Sequence, residues 1–94
     1  MRLSIEEAKS IRRCVLRFDP NAEVFLFGSR ADDARRGGDI DLLIVSKRIG
    51  LRERLRLQSA LEDVLGLRKI DLVIVDSVDD NPFARSVQGR SVRL

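Results

Sequence analysis

The stretch FLFGSRADDARRGGDIDLLIV, residues 25–45, decides how the chain is read. Two apolar runs flank a polar loop rich in Gly, Arg and Asp. The second run opens with carboxylates at Asp39 and Asp41, where its pattern asks for hydrophobes. Successive strand residues face opposite sides, so these two share one side, with Cα atoms about 6.5 Å apart. Like charges that close repel each other unless a cation lies between them. Hard divalent cations such as Mg²⁺ take oxygen ligands and keep positions for water or substrate phosphate. The pair therefore reads as a metal site completed when a phosphate arrives. The plainer alternative is a pair of strand-edge residues that cap the turn after Gly37 and Gly38, where Asp is common.

Upstream, Ser4 with Glu7 forms a capping-box signature, and Ile5, Ala8, Ile11, Val15 and Phe18 recur at helical spacing. After the turn at DPNAE, Val24 to Phe27 are continuously apolar, as in a short strand covered on both faces. Downstream, a helix is expected from Leu51 to Leu65. Leu51, Leu55, Leu57, Leu61, Val64 and Leu65 form a broad apolar arc, interrupted by Arg54, Gln58 and Glu62, and Gly66 is its stop. KIDLVIVD is a third strand. Asn81 and Pro82 read as N-cap and first residue of a short helix ended by Gly89, before a polar tail able to add an edge strand.

The third strand repeats the anomaly once, with Asp71 ahead of the apolar run Leu72 to Val75. Some two dozen residues containing a helix separate it from the second strand, the length of a crossover between parallel neighbours. If the two are parallel, Asp39, Asp41 and Asp71 emerge at one edge of the sheet. For the Gly28-Ser29 turn to reach that edge, the first strand must run antiparallel to both, which gives a mixed sheet. This argues against a dinucleotide-binding fold of parallel strands, whose ligands lie at the carboxyl ends. Glycine lets a backbone approach a phosphate closely, and the Ser29 hydroxyl and nearby amides can donate to it. Arg30, with Arg35 and Arg36 as further candidates, can neutralise phosphate charge.

The bulk composition narrows the chemistry. Ninety-four residues with 44% hydrophobic content make one small domain, residues 1–94. There is no histidine, which removes Ser-His-Asp hydrolysis, Cys-His catalysis and imidazole zinc sites. The single cysteine, Cys14, has no partner for an internal disulfide and reads as helix packing. A net charge of +3, carried mostly by Arg, fits a partner bearing phosphate or carboxylate. No apolar run approaches a membrane span and the first residues do not read as a signal peptide, so a cytoplasmic protein with no membrane partner is expected. Arg12, Arg13, Arg52, Arg54 and Arg56 read first as solvated helix faces and next as a partner surface. With four Phe and no Tyr or Trp to stack on bases, direct nucleic-acid binding is not expected. Asp32 and Asp33 read as a solvated loop, and Asp76, Asp79 and Asp80 as solvated strand-end residues or as residues that serve the short helix that follows.

FLFGSR, a nine-residue spacer after Ser29, DIDLLI, and a lone carboxylate in IDLVIV together resemble the minimal nucleotidyltransferase (MNT) domains of the DNA polymerase β superfamily. The spacer is one residue shorter than the usual ten. The resemblance implies an α/β nucleotidyltransferase fold, a small mixed sheet with helices packed mainly on one face. It implies that Asp39 and Asp41 bind two Mg²⁺ ions, that Asp71 completes the metal site nearest the attacking hydroxyl, and that Gly28 and Ser29 hold the β and γ phosphates of a nucleoside triphosphate. Two metals about 3.5–4 Å apart suit in-line displacement of pyrophosphate without histidine.

Stand-alone domains of this kind resemble antitoxins paired with a HEPN-type toxin, to which they transfer AMP from ATP at a tyrosine hydroxyl. The chain has little left over to bind an acceptor once a nucleotide site is built, so a macromolecular acceptor is expected. The alternatives are a non-catalytic antitoxin that neutralises a partner by contact, and a small-molecule, antibiotic-type nucleotidyltransferase. Both long helices offer an apolar flank that leaves an oligomer open.

Overall fold

The computed structural model describes residues 3–28, 39–66 and 68–94. They form one four-stranded sheet from β1 (Glu23–Phe27), β2 (Ile40–Val45), β3 (Ile70–Val75) and β4 (Val92–Arg93), in the order β3-β2-β1-β4. β2 and β3 are parallel, because the chain between them contains a helix and crosses over the sheet. β1 is antiparallel to both β2 and β4, so the sheet is mixed as expected, and the polar tail does add an edge strand.

Each helix begins where its capping residues lie. In α1 (Ile5–Phe18), the Glu7 N–H donates to Ser4 Oγ and the Ser4 N–H donates to the Glu7 carboxylate, both at 3.0 Å. The second Glu7 oxygen pairs with Arg68 at 2.8 Å and ties the start of α1 to the approach to β3. In α2 (Leu51–Leu65), Glu53 accepts from the Gly50 N–H at 2.9 Å, and Gly66 ends the helix at φ +77°, a conformation that a side chain would strain. α3 (Pro82–Gly89) starts from Asn81, whose side chain accepts from the Ala84 N–H at 3.0 Å.

α1 and α2 cover one face of the sheet. Ile11, Cys14 and Val15 of α1 and Leu57, Leu61 and Leu65 of α2 pack with Val24, Leu26, Ile40, Leu42, Ile44, Ile70 and Leu72. Among the described residues, α3 is the element on the other face, where Ala84 and Val87 meet Phe25 and Leu43. β1 is thus covered on both sides, and Cys14 is ordinary packing. No helix among the described residues is long and apolar enough to cross a membrane.

Two expected apolar stripes are narrower than their sequences imply. Ile5 is 70% exposed, and Leu51 and Leu55 are 78% and 67% exposed, with Val64 also largely outside the core. At about 100° per residue, Leu51 and Leu55 lie roughly 80–120° round the helix from Leu61, beyond the sheet-facing stripe. The polar interruptions have a partner: Arg54 Nη2 donates to the Leu72 carbonyl at 2.9 Å and Gln58 Nε2 to the Ile70 carbonyl at 3.1 Å. β3 is an edge strand, and these side chains occupy carbonyls that face away from β2. Arg54 is exposed, as expected of a solvated helix face, and also holds the edge of β3 through this bond.

Candidate functional site

The starts of β2 and β3 are level. The Ile40 N–H donates to the Lys69 carbonyl at 2.8 Å, and Asp41 and Asp71 are direct register partners. Register partners in a parallel pair point to the same face, with backbones about 4.8 Å apart. Ile40 and Leu42 face α1 and α2, so Asp41 and Asp71 face the opposite side, the one that carries α3. Asp39 immediately precedes β2 and is exposed, as is Asp71, whereas Asp41 is half-buried. The three carboxylates expected at one edge of the sheet are at one edge.

The end of β1 reaches the same place. Phe27 is the register partner of Asp41, and Gly28 follows at φ +78°. A Cβ added at Gly28 would lie 2.6 Å from Asp41 Oδ2, closer than such atoms approach. The left-handed backbone favours glycine, and any side chain there would also have to displace the Asp41 carboxylate packed against its Cα. This is the close approach of turn and acid that the antiparallel first strand was expected to produce.

Ser29 and Arg30, expected to meet phosphate, lie outside the described residues, as do Arg35, Arg36, Asp32, Asp33 and the Gly37-Gly38 pair. Among the described residues, no group of three His, Cys, Asp or Glu side chains lies near enough together to hold a metal ion. The donor chemistry nevertheless suits a hard divalent cation, since every candidate ligand is a carboxylate oxygen, and the space left by the missing Gly28 side chain is taken by the Asp41 carboxylate.

At the opposite end of the sheet, roughly 16 Å along β2, lies an open hollow of about 410 Å³ bordered by Asp19, Ser46, Lys47, Arg48 and Asp76. Its floor is a buried hydrogen-bond node. Asp19 accepts from the Ser46 hydroxyl at 2.6 Å and from the Asn21 N–H at 2.9 Å, while Ser46 Oγ accepts from the Arg48 and Ile49 N–H groups, both at 3.1 Å. These bonds, with help from the Arg48 charge and against the cost of burial, hold the Asp19 carboxyl below its ordinary value. The node fastens the turn before β1 to the end of β2. It was not anticipated from sequence, because the two residues are 27 positions apart and neither interrupts a periodic pattern.

The motifs that carry the resemblance, FLFGSR, DIDLLI and IDLVIV, thus form β1 with the Gly28 turn and the level starts of β2 and β3. No curated protein matches the chain. Residues 10–94 match the family described as Polymerase beta, Nucleotidyltransferase, a span that begins inside α1 and contains the whole sheet. The chain belongs to the polymerase beta nucleotidyltransferase family.

Proposed function

We propose that this nucleotidyltransferase moves AMP from ATP to a protein hydroxyl, the tyrosine of a HEPN-type toxin, and thereby acts as that toxin's antitoxin in the cytoplasm. The observation that carries the transferase reading is the pairing of Asp41 with Asp71 on one face, with Gly28 closed against Asp41. A surface used only for contact has no need to hold like charges on adjacent strands. The antitoxin role rests on the resemblance of FLFGSR, DIDLLI and IDLVIV to the minimal nucleotidyltransferase domains.

Asp39, Asp41 and Asp71 would hold two Mg²⁺ ions, which when bound supply Lewis acidity to the reacting phosphate and lower the pKa of an attacking hydroxyl. Gly28 and Ser29 would seat the β and γ phosphates against backbone N–H groups, and Arg30 would offset their charge. In the transfer, the acceptor oxygen bonds to the α phosphorus and the bond from that phosphorus to the bridging oxygen breaks, releasing pyrophosphate. Asp71 would help accept the hydroxyl proton on a carboxylate oxygen, beside its role in holding the metal.

The test is incubation with each of the four α-labelled nucleoside triphosphates, Mg²⁺ and the protein encoded by the adjacent gene, beside an Asp39→Asn/Asp41→Asn variant. Label on a tyrosine of the partner from ATP alone, reduced at least about a hundredfold in the variant, is expected. No label, with wild type and variant silencing the partner equally, would replace the catalytic reading with neutralisation by contact.

A further inference from the structure

The charges of α2 run against its own dipole. Arg52, Arg54 and Arg56 stand in its first two turns, where the helix end is positive and the acid Glu53 is taken up in capping Gly50, and no basic residue lies in its last turn, where Glu62 and Asp63 sit instead. Arg54 is explained by its bond to the Leu72 carbonyl. Arg52, Arg56, Glu62 and Asp63 are all exposed, and Arg52 and Arg56 are like charges one turn apart. On the same outward side lie Leu51 and Leu55, the two most exposed large hydrophobic residues of the helix, with the small exposed Ser59 midway between Arg56 and Glu62.

A helix that is basic in one half and acidic in the other, with exposed leucines beside the charges, is complementary to itself when turned end for end. A two-fold axis through Ser59 sets residue 56 of each copy opposite residue 62 of the other, because both lie three positions from the centre. Arg56 then faces Glu62 and Asp63, Leu55 lies along the aliphatic stem of Glu62, and Arg52 reaches the carbonyl end of the opposite helix. The arrangement is isologous, as closed dimers require, and the Ser59 pair lets the two helices approach closely. The same rotation brings the basic first turns of each helix to the negative dipole end of the other, so the local mismatch is relieved in the pair. Arg54 and Gln58 are not needed for this contact and keep their bonds to β3.

We infer that the exposed side of α2 is a homodimer interface in which two copies pack antiparallel about Ser59. This surface lies on the helical face away from Asp41 and Asp71, so the inference stands whether or not the proposed transfer reaction is correct.

Sedimentation equilibrium of the purified chain at low salt should give twice the monomer mass. The dimer dissociation constant should rise about tenfold or more on raising salt from roughly 50 to 500 mM. Arg52→Glu/Arg56→Glu and Glu62→Arg/Asp63→Arg should each be monomeric with an unchanged far-ultraviolet spectrum, and an equimolar mixture of the two should recover the dimer mass as a mixed pair. Leu55→Asp should also be monomeric. A wild-type monomer at all concentrations up to about 100 μM, a dimer that survives both charge reversals, or failure of the mixture to recover the dimer would overturn the inference.

Discussion

Gly28 shows how one missing side chain can matter to both stability and chemistry. Its φ of +78° favours glycine, and a methyl group there meets the Asp41 carboxylate at 2.6 Å. The carboxylate can swing aside, so the backbone sets most of the stability cost: Gly28→Ala should lower unfolding free energy by about 1–2 kcal/mol in urea titrations. Its effect on nucleotidyl transfer should be larger than that loss explains, because the displaced group is one of the acids the proposed reaction depends on. Retention of full transfer in Gly28→Ala would separate Asp41 from the reaction. Asp19 belongs to the same scale but to stability alone. Its carboxyl is held below an ordinary value near 3.8 mainly by the Ser46 hydroxyl, so its contribution is complete above that pH and fades as pH falls through the lowered native value. Thermal unfolding of the wild type should therefore lose midpoint temperature below about pH 4, and Asp19→Asn should be less stable at neutral pH with a shallower acid slope.

The elements differ in what their leucines do. Leu57, Leu61 and Leu65 form the stripe of α2 that meets the sheet, and Leu61 is fully buried, whereas Leu55 is 67% exposed on the same helix. Leu61→Ala should cost about 2–5 kcal/mol through lost burial and a cavity, measured by denaturant unfolding. Leu55→Ala should change the unfolding of the isolated chain by less than about 0.5 kcal/mol. Equal effects would mean that α2 is rotated from the orientation described. The sequence pattern placed both residues on one broad arc; what separated them was the sheet edge, which draws Arg54 and Gln58 inward to the carbonyls of β3 and turns Leu51 and Leu55 out.

At the scale of the whole molecule, the described residues form a sheet with two helices on one side and the eight-residue α3 on the other. Asp41 and Asp71 lie on the side that carries α3, where Phe83 is 54% exposed and touches Phe27 edge-on. A ligand bound only by the folded state raises global stability by mass action. At a hundred times its dissociation constant, ATP with Mg²⁺ should add about 2.7 kcal/mol and raise the unfolding temperature. Neither component alone should match the pair, and Asp39→Asn/Asp41→Asn should abolish the shift. A shift of the same size in the variant would place nucleotide binding away from these carboxylates.

By itself, the sequence determined the local structure and the order of the elements. Ser4 with Glu7, Asn81 with Pro82, and Gly66 start or stop helices through bonds and dihedral preferences spanning only a few residues, so they are legible in one dimension. The mixed sheet was legible too, because the length of the β2 to β3 connection dictates a parallel pair and the turn at Gly28 dictates an antiparallel β1. Asp39, Asp41 and Asp71 stood out because charge at the start of an apolar strand breaks a short-range rule. Only the tertiary structure decided that Asp41 and Asp71 are register partners, that Gly28 abuts Asp41, and that Asp19 and Ser46 share a buried bond. Which side of α2 is covered was decided there as well. Each of these depends on where separate segments lie along one another, and the physical reason is that register and helix rotation are set by the packing of the whole sheet, not by any single segment.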